Sequence, residues 1–146
     1  MIARLLFVPV AVLSISSAAF AQPDIAAQAA KEPGAQVAPS GLVFRSLKDG
    51  TGPSPQASDK VRVHYRGTFA DGREFDSSYS RGQPAEFPLD RVIKCWTEGV
   101  QRIKVGGKAK LTCPPAIAYG ERGAGGTIPP GATLQFEVEL LAIVGR

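Results

Sequence analysis

The sequence predicts an α+β domain, several antiparallel strands covered by one short helix, and three observations lead there. Residues 61–65 and 134–140 alternate apolar and polar side chains, as strands with one packed face do. A single segment, about 93–103, repeats apolar residues at three- and four-residue spacing. Turn pairs such as Asp49-Gly50 and Asp71-Gly72 separate the alternating stretches and keep them short.

Before the domain comes a segment of a different kind. Arg4 is followed by an apolar run from Leu5 to Leu13, then small residues leading to Ala19-Phe20-Ala21. That order is the order of an export signal cleaved after Ala21. The run is far short of the ~20 residues that span a bilayer, so no stable membrane anchor is expected. Residues 22–40 are rich in Ala, Gln and Pro and lack apolar periodicity, so they read as a flexible leader, weakly helical at most around Ile25 to Ala30.

The elements then follow in order. Leu42 to Lys48 is a first strand, closed by Asp49-Gly50. Val61, Val63 and Tyr65 face in while Arg62, His64 and Arg66 face out. Asp71-Gly72 turns the chain back into Glu74-Phe75-Asp76. Ile93, Trp96, Val100 and Ile103 form one stripe of a helix that Gly99 weakens and Gly106-Gly107 ends. Ala109, Leu111 and Cys113 face in from the next strand, and Leu134, Phe136, Val138 and Leu140 from the last. A sheet with one apolar face needs a cover, and the short helix is the one candidate.

Composition removes several function classes. The chain has 146 residues and a net charge of +4, with its basic residues scattered and not interleaved with aromatics, so nucleic acid is not implied. One histidine and two cysteines do not supply the usual metal-ligand set. His64 lies on the outward phase of its strand and reads as an exposed, inert histidine. No nucleophile elbow or P-loop is present. The glycines of 120–126 lack a following helix and precede Pro129-Pro130, so they read as a mobile loop.

What remains is an aromatic set: Tyr65, Phe75, Phe87, Trp96, Tyr119 and Phe136. Taken alone it reads as the core of a small domain. The motifs around it say more. VHYRGTFADGREFDSS (63–78), VIKCWTEGVQRIKVGGKAKL (92–111), IAYGERG (117–123) and IPPGATLQFEVELL (128–141) occur in this order. Together they resemble the FKBP family of peptidyl-prolyl cis/trans isomerases over nearly all of 41–146, and the leader makes the chain similar to an exported bacterial member.

The resemblance implies a twisted antiparallel sheet of about five strands wrapped around one short helix. It implies that Trp96 floors a shallow apolar pocket walled by Tyr65, Phe75 and Phe136, with Phe87, Val92 and Ile93 beside them. Asp76 and Tyr119 would be polar groups at the rim, Ile128 would close the pocket from the long loop, and the Ile93 N–H would hold a substrate carbonyl. The expected activity is rotation about X–Pro bonds in exported polypeptides, in the periplasm, by a monomer without a cofactor, inhibited by tacrolimus-like macrolides. Three residues depart from the family's usual pattern: Ala85 where an aromatic often lines the pocket, Ala124 where the loop often carries a larger side chain, and Cys95 where glycine is common.

Cys95 and Cys113 are expected to form a disulfide. Cys113 is on the inward phase of its strand, and Cys95 is in the first turn of the helix that covers that face. Export and an even cysteine count favour the bond. The alternatives are two inert buried thiols, or a reactive Cys95 at the helix start.

Overall fold

The computed structural model describes residues 24–145. The expected export signal, residues 1–21, lies outside them. The strands are β1 (Gln36–Val37), β2 (Val43–Lys48), β3 (Lys60–Thr68), β4 (Glu74–Ser77), β5 (Ala85–Pro88), β6 (Lys108–Cys113) and β7 (Leu134–Val144). The helices are α1 (Ile25–Ala30), α2 (Ser78–Arg81) and α3 (Lys94–Val100), with single 3-10 turns at Leu89–Arg91 and Pro115–Ile117. No helix among the described residues is long and apolar enough to cross a membrane.

The strands form one antiparallel sheet in the order β1-β2-β6-β7-β3-β4. β3 pairs with β7 along its whole length, and its other edge is shared end to end: β5 pairs with 60–63 and β4 with 66–68. The sheet has seven strands where about five are expected. β1 is two residues long, and β5 is a four-residue strand ending in proline, too short for alternation to identify.

The inward phases meet under α3. Val61, Val63 and Tyr65 of β3, Ala109, Leu111 and Cys113 of β6, and Leu134, Phe136, Val138 and Leu140 of β7 are all buried with Cys95, Trp96 and Val100 of the helix. Burying such side chains contributes roughly 1.5–3 kcal/mol each. Near its end β7 bulges: Arg62 pairs with Ala142 but Val63 with Leu140, leaving Leu141 unmatched. The extra residue flips the phase, so Ile143 is buried where strict alternation would bury Ala142.

Gly99, which weakens α3 as a helix former, is what lets it lie close to the sheet. A Cβ there would sit 2.8 and 2.9 Å from the Leu111 methyl groups. Cys95 and Gly99, four apart on the helix, face Cys113 and Leu111, two apart on β6. A helical turn and two strand residues advance by about 6 Å each, so the two elements stay in step.

Residues 24–40 are not a free leader in the structure. α1 covers the stretch expected to be weakly helical, with Asp24 as its N-cap, and it lies on the outer face of β2 and β6. Ile25 and Ala29 are buried there, as are Val43 and Thr112, a mutually paired couple on the sheet's outward phase. Glu32 then accepts from Arg45 at 2.5 Å and Lys110 at 2.8 Å, a second cross-strand pair on the same face. Two buried residues four apart are too few to register as periodicity, which is why the composition of this segment suggests flexibility.

Candidate active site

The open end of the α3–sheet sandwich holds a cleft of about 480 Å³ lined by Tyr65, Phe75, Asp76, Phe87, Arg91, Val92, Ile93, Trp96, Tyr119 and Phe136. Trp96, buried in the first turn of α3, is the hub. Three rings meet it edge-on: Tyr65 at 5.2 Å, Phe136 at 5.4 Å and Phe87 at 5.5 Å between centroids. Phe75 meets Phe136 edge-on at 5.6 Å. Such T-shaped contacts are the favourable arrangement of aromatic quadrupoles and hold each ring against its neighbour.

Glycine makes room for this packing. Gly67 of β3 pairs with Phe136 on one side and Asp76 on the other. A Cβ at Gly67 would lie 2.6 Å from Phe75 Cζ and 3.0 Å from Phe136 Cε1, so a side chain there would collide with the cleft wall.

The polar rim is built by the segment Asp76-Ser77-Ser78. Ser77 caps α2 by accepting from the Ser80 N–H at 3.3 Å, and Gly82, at φ +73°, ends this single turn. Ser78 is buried and its Oγ accepts from the Tyr65 N–H at 2.7 Å, which ties the turn to β3. The turn brings Arg81 back onto the rim. Tyr65 donates its hydroxyl hydrogen to Asp76 Oδ2, Arg81 Nη1 donates to Asp76 Oδ1 at 2.5 Å, and Arg81 Nη2 donates to the Tyr65 hydroxyl at 3.0 Å.

This triangle sets the protonation states. Partial burial pushes the Asp76 carboxyl up, but the hydrogen bonds from Tyr65 and Arg81 outweigh it and hold the group below the usual aspartate range. Burial, and then the bond to Asp76, raise the Tyr65 phenol above its ordinary value. Hydrogen bonds to Tyr65 and Asp76 raise the Arg81 guanidinium still further into its charged range. Asp76 is therefore a fixed carboxylate, and Tyr65 a fixed neutral donor.

Nine of the ten expected site residues line the cleft; the tenth, Ile128, does not. It is buried in the core at 5% exposure, and the bridge between Ala124 and Ile128 turns it inward from the long loop. Gly123, at φ +67°, packs against the Ile128 carbonyl so closely that a Cβ would lie 2.2 Å from it. Tyr119, by contrast, is 39% exposed at the mouth. The Ile93 N–H, at the N-cap of α3, donates to no group among the described residues. Arg81 and Arg91 join the site although nothing in their sequence surroundings marks them. His64 is outside the cleft: its Nδ1 is 2.9 Å from Ser78 Oγ and its ring stacks on Tyr79 at 4.6 Å.

Cys95 Sγ is bonded to Cys113 Sγ, with the Cα atoms 5.7 Å apart and both residues fully buried. The bond joins the residue before Trp96 to the last residue of β6. From there the chain runs through Pro114 and the 3-10 turn to Tyr119, so floor and rim share one covalent anchor.

Known proteins share about half of this sequence at matched positions, and its fold. FkpA of Escherichia coli strain K12 is 53% identical over 114 residues, which is 78% of this chain and 42% of that protein. The FKBP-type 22 kDa peptidyl-prolyl cis-trans isomerase of the same strain is 53% identical over 115 residues, 79% of this chain and 56% of its own length. The chain thus spans about half the length of these curated relatives. The crystal structure of E. coli FkpA superposes with a TM-score of 0.80 at 48% identity, over 84% of this chain and 57% of that one. The family model for FKBP-type peptidyl-prolyl cis-trans isomerases matches residues 52–141, and with these identities it places the chain in that family.

Proposed function

We propose that this chain is a peptidyl-prolyl cis/trans isomerase acting on X–Pro bonds of exported polypeptides, with the aromatic cleft as its active site. The observation that carries the reading is the Trp96 floor, gripped edge-on by Tyr65, Phe87 and Phe136. An apolar, flat-bottomed cleft suits the rigid pyrrolidine ring, which loses little freedom on binding.

The chemistry asks for little else. Rotation must overcome amide resonance, a barrier of roughly 18–20 kcal/mol, and unaided exchange takes tens to hundreds of seconds. No covalent bond breaks and no proton moves, so no cofactor is required. The planar amide is the more charge-separated form, and the twisted one depends less on water. An apolar cleft therefore disfavours the planar ground state relative to the twisted transition state. Each ~1.4 kcal/mol of that difference is tenfold in rate. In this reading the Ile93 N–H and the Tyr119 hydroxyl hold substrate carbonyls. Asp76 orients Tyr65 and the rim and does not act as an acid, in keeping with its lowered pKa.

The setting we propose is the periplasm. The order of Arg4, the apolar run and Ala19-Phe20-Ala21 supports export, and a buried disulfide suits an oxidising compartment. The isomerase acts as a monomer, and tacrolimus-like macrolides compete for the same apolar floor. The test is NMR exchange spectroscopy on X–Pro peptides with purified residues 22–146, free of metal and nucleotide. Accelerated exchange, suppressed by the macrolide, is expected. A folded sample showing only the background rate would sink the reading.

A further inference from the structure

We propose that Arg91 gives the cleft a charge preference, favouring polypeptides with an aspartate or glutamate beside the proline; this rests on the isomerase reading above. Of the residues that line the cleft, only Asp76 and Arg91 carry charge. Both Asp76 oxygens are engaged, one by Tyr65 and one by Arg81, so its charge is answered by a fixed cation. Arg91 has no ion pair and no side-chain hydrogen bond among the described residues. Its neighbour Asp90 is exposed and outside the lining. The one unanswered charge at the cleft is therefore positive.

Its placement suits substrate selection. Arg91 ends the 3-10 turn Leu89–Arg91, directly before Val92 and Ile93, which also line the cleft. The proline ring would occupy the apolar floor, leaving the flanking side chains of the substrate at the mouth where Arg91 stands exposed. A guanidinium presents a planar fork of donors that a carboxylate accepts in pairs. Low-dielectric aromatic walls focus its field on whatever enters. A lysine in the same substrate position would be repelled.

The experiment uses purified residues 22–146 and three proline peptides that differ only in carrying Glu, Ala or Lys beside the proline. Exposed charge pairs contribute modestly, so kcat/KM for the Glu peptide should exceed that for the Lys peptide about fivefold at low salt. The ratio should shrink as the Debye length falls below about 8 Å. Arg91→Gln should bring the ratio close to one and Arg91→Glu should invert it. Wild-type protein that accelerates the Ala peptide yet treats Glu and Lys peptides alike overturns the inference and leaves the isomerase reading standing. So does a preference that persists unchanged in Arg91→Glu. If no peptide is accelerated, the isomerase reading fails, and chemical-shift titration with the Glu and Lys peptides decides the charge preference separately. Equal affinities would then overturn it.

Discussion

Tyr65 donates its hydroxyl to Asp76 across the rim of the cleft, and Arg81 bonds to both, so the three side chains hold one another in place. Removing Asp76 leaves Tyr65 without its acceptor and Arg81 without its carboxylate. We expect Asp76→Ala to lower kcat/KM for X–Pro exchange while the far-ultraviolet dichroism stays unchanged. The pH dependence has a definite sign. Because the folded state lowers the Asp76 pKa, its contribution to stability is full above the unfolded value of about 3.9 and is lost as pH falls through the lower folded value. Melting temperatures of wild type and Asp76→Asn should therefore differ by a constant amount near neutrality and converge only in that acidic window. Convergence already at pH ~6 would contradict the assignment.

Trp96 and Tyr119 line the same cleft but differ in what surrounds them. Trp96 is buried in the core, whereas Tyr119 is exposed at the mouth. Trp96→Ala should cost about 3–5 kcal/mol in denaturant unfolding and abolish activity. Tyr119→Phe should leave stability unchanged within ~0.5 kcal/mol yet lower kcat/KM, since only a hydroxyl is lost. Full activity in Tyr119→Phe would remove Tyr119 from the site.

The requirement at Gly67 is steric. Its φ is not in the left-handed region, so any residue suits the backbone, but a Cβ would lie 2.6 Å from the Phe75 ring. Gly67→Ala should destabilise by about 1–3 kcal/mol and tilt Phe75 and Phe136 away from Trp96. The readout is an increase in KM together with altered ring resonances. An active, equally stable Gly67→Ala protein would show that the wall yields more easily than its packing suggests.

Much of this was legible in the residues. The strict alternation of β7 and β3 announced their packed faces because each has one face on the core and one in water. The α3 stripe was legible for the same reason at Trp96 and Val100, but the helix is shorter than the stripe suggests: Ile93 is its N-cap and Ile103 lies beyond its last residue, Val100. The cleft residues were a different matter: their spacing was equally that of an ordinary core, and only the motif order separated the two readings. What was not legible depends on turns and contacts that periodicity does not encode. Arg81 reaches Asp76 because Ser77 caps one turn, and Thr112 is buried on an outward phase because α1 covers it. The resemblance implies Ile128 at the pocket, and periodicity gives no direction for a loop residue that could have corrected it; in the structure Ile128 is bridged to Ala124 and buried in the core.

Glu32 tests whether α1 docks as described. It joins α1's end to Arg45 and Lys110, and the hydrogen bond from Lys110 is the main reason its carboxyl is held below the usual range. Glu32→Gln should cost at most about 1 kcal/mol, since the group is only partly buried. The loss should vanish as pH falls through the folded pKa, below about 4.3. Amide exchange should rise in 24–38 and on β2, while kcat/KM is unaffected, because this face is on the far side of the sheet from the cleft. Unchanged protection in those segments would argue against docking.

The disulfide offers the last test. α3 has seven residues, and its N-cap, Ile93, provides no side-chain hydrogen bond. A helix that short does not stand alone in water, so its position comes from its anchors. Those anchors are the Cys95–Cys113 bond, the hydrogen bond from Thr97 Oγ1 to the Leu89 carbonyl at 2.5 Å, and the close seat of Gly99 on Leu111. A crosslink spanning 18 residues contributes about 3 kcal/mol in the chain-entropy model. Replacing both cysteines by alanine should lower unfolding free energy by about that amount. Because Cys95 precedes Trp96, the change should also reach the cleft floor, and Trp96 is the chain's one tryptophan, so its fluorescence reports on that site alone. We expect greater acrylamide quenching and lower kcat/KM in the double variant, measured where it is fully folded. Val43→Ala, which removes packing on the outer face, provides a control destabilised elsewhere. If both variants lose stability but neither changes Trp96 quenching or kcat/KM, the crosslink stabilises the fold without shaping the cleft. Alkylation of the oxidised, unfolded protein followed by mass spectrometry checks the bond itself, because two modified cysteines in unreduced material would show that it does not form.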